Sequence, residues 1–115
     1  MTNYYKGLYG VTAMLLLLRE QMRDSEYSTV VSRYIYESRQ SWQSDSLLRA
    51  VESLGILLSL ERNAAPMPPE LIDELERNIG LLNNRDLNFS SRDLPQIADD
   101  LNTAKSVIRW YRNKA

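Results

Sequence analysis

Five stretches of this chain place apolar residues at steps of three and four, the spacing that paints one face of an α-helix. The first runs through Leu8, Val11, Leu15, Leu18 and Met22, with Met14 and Leu17 widening the same side. A face this broad predicts a central helix. The second carries Tyr27, Val31, Tyr34 and Ser38 on a narrower face, predicting a helix nearer the surface, and its restart is signalled by Ser25 and Glu26. A polar connection holding Trp42 is expected between Ser38 and Ser46, where Ser44 or Asp45 can cap the next helix.

The third stretch is Leu47, Val51, Leu54 and Leu58, flanked by Leu48, Ala50 and Leu57, and is expected to pair with the first. Gly55 within it costs about 1 kcal/mol of helix propensity, tolerable where a neighbouring backbone approaches closely. Pro66, Pro68 and Pro69 end that helix, and Pro69 suits the first position of the next, where a missing amide has no partner to lose. Leu71, Ile72, Leu75, Ile79 and Leu82 mark the fourth helix, with Asn83 and Asn84 as a left-handed stop. Asp93 and Gln96 form a capping-box-like pair around Pro95, opening a fifth helix along Leu94, Ile97, Leu101, Ala104, Ile108 and Tyr111. No alternating strand pattern competes. The expected fold is all-α, an antiparallel bundle of about five helices in one domain spanning residues 1–115.

The chain contains no histidine and no cysteine. The commonest general base, the reactive thiol and the preferred ligands of transition metals are therefore missing. Twelve serines have no histidine to activate them, only three lysines are available for a Ser-Lys pair, and the four glycines form no phosphate-binding loop. No enzymatic activity, cofactor or metal is expected. A net charge of −1 gives no overall field toward nucleic acid or an anionic membrane. The apolar run from Leu8 to Leu18 is about half the roughly 20 residues of a membrane span. Lys6 precedes it as in a secretory signal, but Arg19, Glu20, Arg23 and Asp24 follow where a small-residue cleavage site belongs, so a retained segment and a cytoplasmic location are expected.

Charge is unevenly spread. Between Glu61 and Asp100 nine acidic residues face four basic ones, concentrated at Glu70, Asp73, Glu74 and Glu76 with Asp99 and Asp100 beyond. Carboxylates in the first turns of a helix offset its positive end, and Asp73 precedes Arg77 by the four residues that favour a surface ion pair. The same residues can present an acidic patch to a basic partner. A magnesium site would require the acidic groups of the fourth and fifth helices to converge, and antiparallel packing keeps their early turns apart. Lys105, Arg109 and Arg112 follow the opposite rule near the last helix's C-terminus; with Trp110 and Tyr111 they would make only a weak strip for nucleic acid. Tyr36 and Trp110 point away from their helices' apolar faces and Trp42 lies in the polar connection, so all three are expected to be partly exposed. Such aromatics either cap the bundle ends or anchor a protein interface. Tyr5 and Tyr9 would share a helical face if the first helix reaches back to them.

In size, helical layout, acidic segment and peripheral aromatics at Tyr36, Trp42 and Trp110, the chain resembles the small all-helical bacterial immunity proteins. That resemblance implies an antitoxin that neutralises a cognate toxin by covering its working surface. It further implies Glu70, Asp73, Glu74, Asp99 and Asp100 as partner-facing charges and Trp42, Trp110 or Tyr36 as anchors. The alternative expectation is a homo-oligomeric helical regulatory or phage-type accessory protein, closed by spare apolar breadth on the first and third helices.

Overall fold

A computed structural model describes residues 4–61, 65–83 and 94–114. Among the described residues are helices α1 (Tyr4–Arg19), α2 (Asp24–Ser44), α3 (Ser46–Glu61), α4 (Pro69–Ile79) and α5 (Leu94–Lys114), with no strand. The all-α bundle expected from the periodicity is what the chain forms.

The hub is α3, which touches each of the other four helices and packs most extensively along α1. From Ala50 to Leu60 nearly every side is covered, with Leu54, Ile56 and Leu57 fully buried. Gly55 makes this possible. A β-carbon there would sit 3.0 Å from the Leu8 carbonyl oxygen and 3.2 Å from Thr12 Oγ1, so α1 crosses α3 too closely for a larger residue to fit without one helix giving way by a few tenths of an ångström. The Thr12 hydroxyl, the donor to both, stands 2.9 Å from the Leu8 carbonyl and 3.2 Å from that of Gly55.

The expected central place of α1 is corrected. Leu8, Val11 and Leu15 are buried against α3, whereas Met14 (39% exposed) and Leu17 (61%) lie outside. Five residues of breadth exceed what one neighbouring helix can cover. Arg19 closes the helix by donating to the Met22 carbonyl at 2.6 Å and pairing with Asp24 at the start of α2. Asp24 and Glu26 in that first turn suit the positive helix end.

The connection expected between Ser38 and Ser46 does not exist as a loop. Helix α2 runs on to Ser44, and Asp45 alone joins it to α3, where its carboxylate accepts the Leu48 amide at 3.0 Å as an N-cap. The buried face of α2 is Tyr27, Val31, Ile35 and Trp42, one step round from the expected Tyr27–Val31–Tyr34–Ser38 line. Tyr27 reaches into α3, donating at 3.0 Å to Ser59, which donates in turn to the Ile56 carbonyl.

Helix α4 starts with Pro69 at its first position. It buries Leu71, Ile72, Leu75 and Ile79, and its buried Asn78 donates to Ser53 of α3 at 3.0 Å. Its end tightens into a 3₁₀ turn, Gly80–Asn83, with Gly80 right-handed; of the two residues expected to stop the helix, Asn83 closes this turn and Asn84 lies outside the described residues. Asp93 does too, so the capping-box pair lies partly outside the described residues, and Gln96 donates forward to Asp100 at 3.0 Å. Helix α5 packs against α3 and α4 and buries Ile97, Ala104, Val107 and Ile108. Although α1 reaches back to Tyr4, the side chains of Tyr5 and Tyr9 are not among those described. None of the helices described is long and apolar enough to cross a membrane.

Candidate binding surface

Three of the four acidic residues of α4, Asp73, Glu74 and Glu76, are answered by arginines of other helices. Arg39 of α2 forks onto Glu74, with Nε 3.1 Å from both carboxylate oxygens and Nη2 2.6 Å from Oε1. Arg112 of α5 pairs with Asp73 at 2.9 Å and with Glu76. These carboxylates hold both guanidinium pKa values above their ordinary range, through Glu74 for Arg39 and through Glu76, then Asp73, for Arg112. The Asp73–Arg77 pair expected along one helix is therefore replaced by a bridge between helices. Planar arginine forks make such bridges well. Of the five acidic positions expected to face a partner, Glu70 and Asp99 are exposed and Asp73 and Glu74 are engaged with arginine. Asp100 is buried and accepts from Gln96, which removes it from any contact surface.

Because Asp73 near the start of α4 meets Arg112 near the end of α5, these helices run antiparallel, and Asp99 lies at the other end from Glu70. The two acidic groups do not converge. Among the described residues no three carboxylates are grouped to hold a metal ion.

Trp42 is the clearest correction. It is 1% exposed, on the inner face of α2, and its indole N–H donates to Glu52 Oε1 of α3 at 2.8 Å. Tyr34 donates to the other oxygen of the same carboxylate at 2.6 Å. Burial, then the bond to Glu52, pushes the Tyr34 hydroxyl pKa well above the ordinary tyrosine range. Trp42 thus clamps α2 to α3 and cannot anchor a partner. Its position seven residues beyond Ile35, on the Tyr27–Val31–Ile35 line, was the available signal; the serines and glutamines around it masked the helix. Glu52 carried no signal, since only its place opposite Trp42 gives it a role.

Tyr36 is 71% exposed, with Arg39 lying 5.8 Å from its ring centre. Trp110 is 43% exposed on the last turns of α5, where Lys114 lies 4.6 Å over its ring and Tyr111 meets it edge-on at 4.9 Å. Tyr111 is held firmly: its hydroxyl donates to the Ala65 carbonyl at 2.5 Å, and burial pushes its pKa up to about 12. Two open grooves flank this aromatic pair. One, of about 410 Å³, runs between α5 and the segment entering α4, lined by Pro66, Met67, Pro69, Ile72 and Tyr111 with Arg112 and Lys114 at its rim. The other, of about 440 Å³, lies between Leu60 of α3 and Asn102, Ser106, Val107 and Trp110 of α5. Tyr111 is common to both. The cationic strip expected on α5 is interrupted, because Arg112 is committed to α4 and Lys114 to Trp110.

The chain has no significant match among protein-family models, characterised proteins or solved structures.

Proposed function

We propose that this chain is a non-catalytic, protein-binding immunity protein that neutralises a cognate bacterial toxin in the cytoplasm by covering its working surface. The observation that carries the reading is Trp110, half-exposed on a rigid helix end beside a pinned tyrosine and between two partly apolar grooves. A tryptophan with arginine nearby, ringed by pockets, is the composition that concentrates binding energy in protein interfaces. The contact surface moves accordingly from the acidic helix to the end of α5, because most of the α4 carboxylates already have arginine partners. A partner chosen for basic charge alone is disfavoured; one that offers apolar side chains to the grooves is favoured.

The test is co-expression with the gene adjacent to this one in its source genome. Rescue of growth from a toxic neighbour is expected, together with a complex recoverable by size-exclusion chromatography. Trp110→Ala should weaken that complex by at least about 2 kcal/mol, roughly thirtyfold. A harmless neighbour, or toxicity that co-expression leaves unchanged, refutes the proposal.

A further inference from the structure

Charges at the helix ends follow one rule in four of the helices. Arg19 closes α1, Asp24 and Glu26 open α2, Glu70 opens α4 and Arg77 closes it, and Arg112 and Lys114 close α5, each sign opposing the partial charge of its helix end. Helix α3 breaks the rule. Its last turn carries no basic residue and finishes on the Glu61 carboxylate, so two negative groups, the carboxylate and the carbonyl end of the helix, sit together. Glu61 lines the groove of about 440 Å³ beside Trp110 and is the only charged residue among the described residues that line it. The side chains of Glu61, Asn102 and Thr103, all in that lining, have no hydrogen-bond or ion-pair partner among the described residues. Nearby cations are engaged elsewhere. Arg112 is held by α4, Lys114 lies over Trp110 and rims the other groove, and Arg109, which is not in the lining, donates to Ser106 at 3.2 Å.

We infer that this groove receives an arginine side chain of the toxin partner, its guanidinium forked onto Glu61 and its aliphatic stem laid along Leu60, Val107 and the Trp110 ring. The inference rests on the immunity reading and names what the partner presents to that surface. Charge selects a cation, because the groove offers one unanswered carboxylate at the negative end of a helix and no positive group in its described lining. Donor geometry selects arginine. The Glu61 carboxylate, the Asn102 amide oxygen and the Thr103 hydroxyl give several acceptors, which the five N–H groups of a planar guanidinium can meet together where an ammonium has three. The apolar wall takes the stem, as long cationic side chains lay their methylenes on apolar surface.

Nuclear magnetic resonance titration of the full chain with arginine blocked at both ends, acetylated and amidated, tests the groove without the toxin. Blocked citrulline, the neutral isostere, and blocked norleucine are the controls. Saturable movement of the Trp110 indole signal is expected for arginine in the millimolar range, with the buried Trp42 indole unmoved. Both controls should bind at least about fivefold more weakly. Glu61→Lys should abolish saturation, and circular dichroism should report an intact fold because Glu61 is exposed. In the toxin complex the same variant should raise the dissociation constant at least about tenfold. Arginine without saturation, citrulline as strong as arginine, or binding indifferent to Glu61→Lys would each overturn the inference. A chain that binds arginine but forms no toxin complex refutes the immunity reading and with it the toxin as the arginine's source. A toxin complex indifferent to Glu61→Lys refutes this inference alone.

Discussion

Glu52→Ala removes the acceptor shared by Trp42 and Tyr34, and its cost can be worked from the geometry. The carboxylate takes the buried indole N–H at 2.8 Å and the half-buried tyrosine O–H at 2.6 Å. Hydrogen bonds to a charged acceptor are worth about 1.5–3 kcal/mol each. The tyrosine can turn to water once the carboxylate is gone, which returns much of its share. The indole cannot, so its donor is left unpaired at about 1–3 kcal/mol. Alanine recovers a few tenths of a kcal/mol in helix propensity. The net loss is about 2–4 kcal/mol, or roughly 10 °C in Tm for a domain of this size. Urea unfolding followed by fluorescence in a Trp110→Phe background reports on Trp42 alone. Glu52→Gln retains an oxygen for the indole and should lose about half as much. Glu61→Ala, at the exposed end of the same helix, serves as the reference. If Glu52→Ala falls within about 0.5 kcal/mol of that reference, the carboxylate does not clamp α2 to α3.

The two helical glycines should respond in opposite directions to alanine. Gly10→Ala should stabilise the fold by about 0.5–1 kcal/mol through helix propensity, while Gly55→Ala should destabilise, because backbone at 3.0 Å must move at an overpacking cost of about 1–3 kcal/mol; matched urea midpoints check both. Leu57→Ala, at the centre of α3, should cost about 2–5 kcal/mol by the same measurement. Burial raises the folded-state pKa of Tyr27, Tyr34 and Tyr111 above the unfolded value of 10.0, so their contribution is complete below that pH and is lost as pH rises through the folded values. For Tyr111 the window runs from about pH 10 to about pH 12, and urea midpoints should fall across it in step with phenolate absorbance. Arg39→Ala should cost about 1 kcal/mol at low salt and less at high salt, since the Arg39 guanidinium is open to solvent although Glu74 is mostly covered, and thermal melts at two ionic strengths read the difference.

Periodicity alone determined the class of fold, because a stripe at steps of three and four can be buried only by a helix. Local chemistry was equally readable where the partner is a backbone group a few residues away, as with Pro69 at the first position of α4 and Asp45 capping α3, and Gly55 signalled a close crossing though not the helix that makes it. What sequence did not reveal was which of two apolar sides a helix buries. Helix α1 has more apolar breadth than α3 can cover, and only packing decided that Leu8, Val11 and Leu15 turn inward while Met14 and Leu17 stay outside. The same limit hid the partners of the charges. Glu74 with Arg39, Asp73 with Arg112 and Trp42 with Glu52 are 35, 39 and 10 positions apart, and no local spacing rule joins them. Their meeting depends on how the helices lie against one another, which turned an apparent acidic patch into the seams of the bundle and moved the exposed aromatic surface to the end of α5.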